Sequence, residues 1–368
     1  MRIGLLVTSI GNFGQKGFYN AQEIGLAKEL DWLFDEVIIY KAVPLTETKS
    51  ESLIDGCAHS TLCQIPVKNN GINGIWDCGV MDTTLDALIY FSDTQLAVPK
   101  VYKWCRQNNI LMYPYIGVIE SHSTNKVKKF IIDVMFKRNI AVYRICTCFV
   151  KTPTVAERLG ELGIKNSVLA PVGLDVSLLH RDYEKVSIED IRIKYGYTGT
   201  EKILLFIGRL IEEKQPIRMI DILLDVRKQD QSYKLLMIGT GELKKSIKDK
   251  VMEYELNDYI QMIDRIPNSE IWELYRMSDV FVNLNQQEIF GMAILEAMYY
   301  GCKVVAWEAP GPNLIIENGR SGWFVRSNKE VIERILDSTD VTKEAHQRVL
   351  NKFTWKSSAK KIHSIIGE

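Results

Sequence analysis

The sequence predicts an α/β protein with two domains, each built on a parallel sheet that helices cover. Short apolar runs alternate with helical patterns along both halves of the chain, as in repeated strand-helix-strand units. The 368 residues also exceed the size of one typical hydrophobic core, so two domains are expected. Segment 177–202 is polar and charged without a clear apolar period, and we interpret it as the connection between the domains.

The first half begins with a strand and continues in alternation. Its predicted strands are the apolar runs IGLLVTS, EVIIY, ALIYF, LMYPYIGVI, TCFVKT and SVLAP. Helical patterns cover 22–30 and 98–107, and a further helix begins near residue 124. Thr152 and Pro153 suit the cap and first turn of the next helix.

The second half repeats this alternation. Its predicted strands are ILLFIGRL, KLLMIGTG, YIQMID, VFVNLN and KVVAW. The predicted helices run through MIDILLDV, through Val251, near 270–277, and from Met292 to Tyr300, where Gly301 ends the helix.

Bulk composition excludes several classes of protein. The 46 basic residues balance 46 acidic ones, so a protein that mainly binds nucleic acid is disfavoured. The seven cysteines show no C-x2-C pairing, which predicts neither a disulfide framework nor a zinc site and fits a reducing cytosol. The apolar amino terminus is too short for a signal peptide, and no run approaches the roughly twenty apolar residues of a membrane span.

The segment EIFGMAILE carries two carboxylates, Glu288 and Glu296, across a predicted strand-to-helix junction. Glu288 and Gly291 fall in the loop at a strand's carboxyl end, where open α/β sheets bind ligands. Glu296 follows about one helical turn into the helix, so both carboxylates are expected to face one crevice. An isolated E-x7-E pair arises easily by chance, so its interpretation depends on the surrounding motifs.

Two further turns contain residues suited to phosphate. In FIGRLIEEK, Arg209 follows Gly208 and Lys214 comes five residues later, which predicts a cationic clamp for a diphosphate. In MIGTGELKK, Gly239 and Gly241 imitate a dinucleotide fingerprint that Asp264 would complete, but Lys244 stands where the third glycine belongs. A nucleotide-linked dehydrogenase therefore remains an alternative.

The first half offers a glycine loop and a histidine. The loop GNFGQKGF contains Gly17 and lacks the lysine-serine ending of a P-loop. His122 follows a predicted strand and can donate a hydrogen bond to a sugar, although a helix-capping role is equally expected. The histidine spacing predicts no metal site.

Basic residues are concentrated between Lys100 and Lys151, where ten of them accompany two acidic residues. Within the segment 126–144 they are interleaved with apolar residues such as Phe130 and Phe136. This pattern is typical of a solvated helix face, and it also fits peripheral contact with an anionic membrane.

Taken together, these motifs resemble the retaining glycosyltransferases of family 4, which have the GT-B fold of two Rossmann-like domains with parallel sheets facing a central cleft. The resemblance is strongest from Phe206 to Val325 and includes GRLIEEK, MIGTGEL and the E-x7-E segment. It implies an acceptor-binding domain at 1–175, a nucleotide-sugar-binding domain at 176–353, and a final helix at 354–368 that packs back on the first domain.

The resemblance also implies roles for individual residues. Glu288, Arg209, Lys214 and His122 would be catalytic, with Glu288 on the donor sugar and the two cations on the departing diphosphate. Glu296 would bind the ribose hydroxyls. The remaining donor-binding residues would be Gly17, Gly208, Gly239, Gly241, Ile266, Phe290, Gly291 and Met292.

The expected activity is transfer of a hexose with retention of configuration, from a nucleoside diphosphate sugar and without metal or cofactor. A UDP-sugar is favoured on family frequency, and the expected acceptor is a glycan or lipid-linked hydroxyl in surface polysaccharide or glycoconjugate synthesis. The expected location is the cytoplasm, including the inner face of the membrane. A GT-B nucleotide-sugar epimerase and a non-catalytic nucleotide-sugar-binding subunit remain alternatives.

Overall fold

The computed structural model describes residues 1–10, 21–70, 73–93, 95–119, 126–180 and 182–367. Its strands are β1 (Arg2–Val7), β2 (Glu36–Pro44), β3 (Ser50–Leu53), β4 (Ser60–Val67), β5 (Asn69–Asn70), β6 (Asn73–Gly74), β7 (Ala87–Phe91), β8 (Leu111–Ile116), β9 (Cys148–Val150), β10 (Ser167–Leu169), β11 (Lys202–Ile207), β12 (Tyr233–Ile238), β13 (Ile260–Ile263), β14 (Val280–Asn283), β15 (Lys303–Trp307) and β16 (Trp323–Val325). Its helices are α1 (Gln22–Leu30), α2 (Val98–Gln107), α3 (Lys126–Tyr143), α4 (Pro153–Glu161), α5 (Ile188–Lys194), α6 (Pro216–Arg227), α7 (Lys244–Glu253), α8 (Ile271–Met277), α9 (Met292–Tyr299), α10 (Pro310–Ile315), α11 (Asn328–Leu336), α12 (Thr342–Lys352) and α13 (Trp355–Ile366). This alternation confirms the predicted α/β class.

The chain divides into two compact units. Unit 1 comprises Met1–Gly173 and Trp355–Glu368, and unit 2 comprises Leu174–Thr354. The sequence predicts this boundary between residues 175 and 176, with the final helix beginning near 354. At the two ends of unit 2, the backbone N–H of Leu174 donates to the carbonyl of Phe353 at 2.7 Å. The chain therefore enters and leaves unit 2 at neighbouring points.

Unit 1 is built on a sheet with the strand order β10-β9-β8-β7-β1-β2-β4-β3. Its described neighbours pair in parallel, except that β3 runs antiparallel to β4. Every residue of β7 is buried, as expected for a parallel strand that helices cover on both faces. At the start of α4, the Thr152 side chain accepts a hydrogen bond from the N–H of Val155 at 3.3 Å, which confirms the predicted cap.

Helix α13 packs within unit 1, against α1. The contact depends on Gly25 of α1, since a Cβ at that position would lie 2.3 Å from Nε1 of Trp355. Further along α13, the Ser358 hydroxyl donates to the carbonyl of Pro171 at 2.6 Å. The Trp355 side chain is fully buried, so this helix is an integral part of the unit 1 core.

Unit 2 is built on a parallel sheet with the strand order β13-β12-β11-β14-β15-β16. This is the order of a doubly wound Rossmann sheet, in which the first strand lies at the centre. Strand β11 contributes the fully buried Ile203, Leu204 and Leu205 to the core. Both units therefore have Rossmann-like parallel sheets, as predicted.

The segment 177–202 differs from its prediction. It belongs to unit 2 and contains α5, so the interpretation of the whole segment as a connection between domains is wrong. Ile191 of α5 is buried, and the Arg192 guanidinium donates to the Asp279 carboxylate at 2.9 Å. Arg192 thus helps to hold this segment against the rest of unit 2. The many charged residues of the segment obscured the apolar period of α5 in the sequence.

Candidate functional site

The sheet of unit 2 changes its direction of winding between β11 and β14. The strands β12 and β13 lie on one side of β11, whereas β14, β15 and β16 lie on the other. In open α/β sheets, ligands bind outside the carboxyl ends of the strands at such a switch point. Gly208 directly follows β11 and Asn283 ends β14, so their loops meet there.

The loop after β11 presents two cations. Arg209 is exposed, and it makes no ion pair with any residue that the structure describes. Lys214 lies in a short turn just before α6, and its Nζ is 2.8 Å from Oε2 of Glu288. The structure thus brings together Lys214, the residue expected to bind a diphosphate, and Glu288, the residue expected to bind a sugar. Arg209 is open to a ligand.

Glu288 lies in the loop between β14 and α9, as predicted. Two asparagine amides join Lys214 at its carboxylate, from Asn283 at 3.2 Å and from Asn285 at 3.3 Å. Burial by itself would raise the pKa of Glu288. The attraction of Lys214 and the three hydrogen bonds outweigh that effect and lower the pKa below its ordinary value.

Asn283 and Asn285 are site residues that the motif analysis missed. Both belong to the run VFVNLN, where a buried strand gives way to polar residues at its carboxyl end. Asn285 is only 1% exposed, and a buried amide requires hydrogen-bond partners. A polar side chain at the end of an apolar strand was the available signal in the sequence.

The amino terminus of α9 faces the same loop. Gly291 has a φ of +99°, which favours glycine, and its added Cβ would lie 2.8 Å from Cδ1 of Ile294. Within the described residues, the N–H groups of Phe290, Gly291 and Met292 donate to no backbone carbonyl. The N–H of Gly311 donates to the carbonyl of Glu288 in the same loop at 2.8 Å, which leaves those three N–H groups open. Such unpaired N–H groups at a helix start can bind an anion.

Glu296 has a different environment on α9. It is 5% exposed, and its Oε2 accepts a hydrogen bond from the Tyr275 hydroxyl at 2.9 Å. Burial raises the pKa of Glu296 to about 8. Glu288 and Glu296 therefore have separate hydrogen-bond partners, and the ribose role of Glu296 remains a prediction.

The glycine turn after β12 packs against the backbone that follows β11. A Cβ on Gly239 would lie 1.8 Å from the carbonyl oxygen of Gly208, and one on Gly241 would lie 2.3 Å from that of Leu210. Only glycine allows this approach, so these glycines bring two loops together at the sheet edge. Ile266 lies half-buried in the loop after β13.

Asp264, the acidic residue that a dinucleotide site would need, is already paired with a lysine. Lys244 stands at the position of the missing third glycine, and its Nζ lies 2.6 Å from the carboxylate of Asp264. A dinucleotide site requires that acidic side chain for the ribose hydroxyl. Because Lys244 already pairs with Asp264, the geometry disfavours a dehydrogenase.

Two predicted site residues, Gly17 and His122, lie outside the described residues. Among the basic residues, Arg144 donates to the carbonyl of Leu162 at 3.0 Å, so it also holds unit 1 together. Phe130 of α3 is 70% exposed, and membrane contact through this segment remains a prediction. None of the described helices is both long and apolar enough to span a bilayer.

The described part of the chain contains no group of three or more His, Cys, Asp or Glu side chains that is arranged for a metal ion.

Comparison with protein families gives a match over residues 187–352, to the family described as glycosyl transferases group 1. Residues 187–352 are thus similar to a group 1 glycosyltransferase domain. The match lies entirely within unit 2, which contains Arg209, Lys214, Glu288 and Glu296. The family therefore coincides with the unit whose loops form the candidate site.

Curated relatives resemble about half of this chain at 24–25% identity. The α-monoglucosyldiacylglycerol synthase of Streptococcus pneumoniae is 24% identical over 198 residues, which cover 52% of this chain and 45% of that protein. The amylovoran biosynthesis glycosyltransferase AmsD of Erwinia amylovora is 25% identical over 186 residues, or 50% of each chain. The chain thus spans about half the length of the curated relatives that it matches.

Solved structures match the whole chain. HepE of Anabaena, solved with UDP and glucose, has a TM-score of 0.68 at 14% identity, with 100% of both chains covered. Sucrose-phosphate synthase from Thermosynechococcus elongatus has a TM-score of 0.74 at 17% identity, with coverage of 99% and 98%. At such low identity the likeness identifies the fold alone, and it confirms the predicted GT-B class.

Proposed function

We propose that this protein transfers a sugar from a nucleoside diphosphate sugar to a hydroxyl acceptor, as a retaining glycosyltransferase of family 4. One observation carries the proposal. Where β11 and β14 meet, the exposed Arg209 and the Lys214–Glu288 pair lie beside the start of α9, whose first N–H groups have no acceptor in the described part of the chain. Cations and open N–H groups suit a diphosphate, and a carboxylate suits the hydroxyls of a sugar.

In this mechanism the diphosphate lies against Arg209, Lys214 and the amino terminus of α9. The bond from the anomeric carbon to the phosphate oxygen breaks, and the negative charge develops on the departing diphosphate. Positive groups fixed beforehand at that position lower the barrier. These groups support chemistry that needs no metal ion or other cofactor, and activity in EDTA tests that part of the proposal.

Glu288 would bind hydroxyls of the donor sugar and Glu296 those of the ribose. The acceptor hydroxyl would attack the anomeric carbon on the face that the diphosphate leaves, and a diphosphate oxygen would take its proton. This route retains configuration without a protein nucleophile. The amides of Asn283 and Asn285 both donate to Oε2 of Glu288, and this fixed orientation supports a binding role for that carboxylate.

The donor is proposed to be a UDP-sugar, and HepE with bound UDP lends support through its fold. The acceptor is proposed to be a glycan or lipid-linked hydroxyl. Relatives named for a glycolipid and for amylovoran biosynthesis support that class. Work on a lipid-linked acceptor would take place in the cytoplasm at the inner face of the membrane, which suits peripheral contact through the segment 126–144.

The first test is isothermal titration with UDP, GDP and NAD in EDTA. We expect UDP to bind wild type, and we expect Arg209→Ala to lose about 1.5–3 kcal/mol of binding free energy, the usual scale for a charge-assisted hydrogen bond. The control is Arg320→Ala, which removes another exposed arginine whose partner is Glu317. Binding of NAD without either nucleoside diphosphate would overturn the proposal.

A further inference from the structure

The carboxylate of Glu288 has an uneven distribution of hydrogen bonds. Lys214 Nζ, Asn283 Nδ2 and Asn285 Nδ2 all donate to Oε2, at 2.8, 3.2 and 3.3 Å. Among the described residues, no donor contacts Oε1. One oxygen is therefore fully committed to the protein, and the other is left to accept from a ligand.

The two amides cannot easily turn away from Glu288. Oδ1 of Asn283 accepts from the N–H of Asn285 at 2.9 Å, and Oδ1 of Asn285 accepts from the N–H of Gln287 at 2.9 Å. Each amide oxygen is fixed by the backbone, so each NH2 group must point the other way, toward the carboxylate. The loop itself therefore orients both donors.

Unlike the two asparagines, the Lys214 side chain has no second hydrogen bond to a described residue that fixes it beside Glu288. Its side chain is 23% exposed, against 15% for Glu288, and it lies in the loop that presents Arg209. A diphosphate bound at Arg209 would compete with Glu288 for this ammonium group. Loss of Lys214 would leave a buried carboxylate without its counter-charge, which is costly unless other donors remain.

We propose that Asn283 and Asn285 are positioning residues that keep Glu288 hydrogen-bonded while Lys214 moves from it to the diphosphate. The inference rests on the proposed function and assigns a separate role to each of these side chains. Arg209 binds the diphosphate first, and the ammonium group of Lys214 then moves from Glu288 to the diphosphate. The two amides keep the carboxylate of Glu288 in place, with Oε1 toward the sugar.

Two charged groups reach Glu288 from the described residues. Lys214 contacts it directly, and Glu213 approaches through Asn285, whose Nδ2 lies 3.4 Å from Oε1 of Glu213. Without the amides, Glu288 would take up a proton once Lys214 left it. The need for the amides should therefore be greatest at high pH, where that proton is scarce.

The experiment is titration of UDP into Asn285→Ser and Asn283→Ser at pH 8 and pH 5. Asn257→Ser, which changes an exposed asparagine before β13, is the matched control, and comparison with it removes the titration of UDP itself. We expect each site variant to bind UDP about tenfold more weakly than the control at pH 8, and less than about twofold more weakly at pH 5.

A second arm introduces Glu288→Gln. In that background the Asn285→Ser effect at pH 8 should disappear, because a neutral amide needs no counter-charge. Equal weakening at both pH values, or an undiminished Asn285→Ser effect in the E288Q background, would overturn the inference while leaving UDP binding and the proposed function intact. Failure of the wild type to bind UDP would overturn both.

Discussion

The loop before α9 and the body of α9 each carry one carboxyl group of the E-x7-E segment, and the protein holds them in opposite states. Glu288 has an ammonium group and two amides at one oxygen, and its pKa is lowered. Glu296 is buried with the Tyr275 hydroxyl at 2.9 Å, and its pKa rises to about 8. Near neutral pH the first is ionised and the second is largely protonated.

Two identical residues at a fixed spacing therefore need not carry the same charge. Burial disfavours the ionised form of both carboxyl groups. Only Glu288 has a cation close enough to reverse that effect. A protonated Glu296 can both donate and accept hydrogen bonds, whereas an ionised Glu288 can only accept them.

The largest expected effect is on the pH dependence of stability in Glu296→Gln. In wild type the folded-state pKa is raised from 4.5 to about 8, so stability linked to this group is complete below 4.5 and is lost as pH rises toward 8. We expect the variant to gain about 3–5 kcal/mol over wild type between pH 5 and pH 8.5. Urea unfolding at the two pH values measures the gain, and a constant difference would show that Glu296 is ionised at neutral pH.

The second effect concerns the ion pair in the loop. Lys214→Met leaves Glu288 buried without a cation, and we expect a loss of about 2–3 kcal/mol of unfolding free energy at pH 7.5, moderated by the two amides. The lowered pKa of Glu288 gives stability that is present above 4.5 and is lost as pH falls through the folded-state value, so the loss should shrink in acid.

The double variant Lys214→Met with Glu288→Gln is the control for this prediction. Because the amide carries no charge, the double variant should recover most of the lost stability in a denaturant titration. If both variants were equally destabilised, the cost would come from lost packing of the lysine stem, and the ion pair would contribute little.

The smallest effect is expected at the partner of Glu296. Tyr275→Phe removes the hydroxyl that bonds the buried carboxyl group, and we expect a loss of about 1 kcal/mol. Tyr254→Phe, at a tyrosine that is 40% exposed, should be nearly neutral in the same thermal or urea unfolding measurement. Similar losses in the two variants would mean that the hydroxyl contact does not stabilise Glu296.

Much of the fold was predictable from apolar runs. ALIYF became β7 and the 22–30 pattern became α1 with the same bounds, because β7 is apolar throughout and α1 buries Leu26, Ala27 and Leu30 on one face. The strands β3 and β4 were not predicted. In β4 the sequence STLCQIPV mixes polar residues and a proline into a half-buried strand, which weakens its β signal.

The motifs pointed to Arg209, Lys214 and Glu288 in the loops after β11 and β14, but neither the pairing of Lys214 with Glu288 nor the two asparagines was predicted. Lys214 and Glu288 are 74 positions apart, and they meet because β11 and β14 are neighbours in the sheet. Local spacing carries no information on that adjacency. The protonation of Glu296 likewise depends on burial by the surrounding helices, which a motif does not encode.

The hydrogen bond between Leu174 and Phe353 has a practical consequence for protein engineering. Since the two crossings of the chain lie side by side, Leu174–Thr354 is one continuous cassette whose ends already meet. A matching segment of another protein with a group 1 domain can be joined at the same two points without new linker residues. Exchange of this cassette, with unit 1 kept constant, would test whether the proposed donor preference follows the inserted segment.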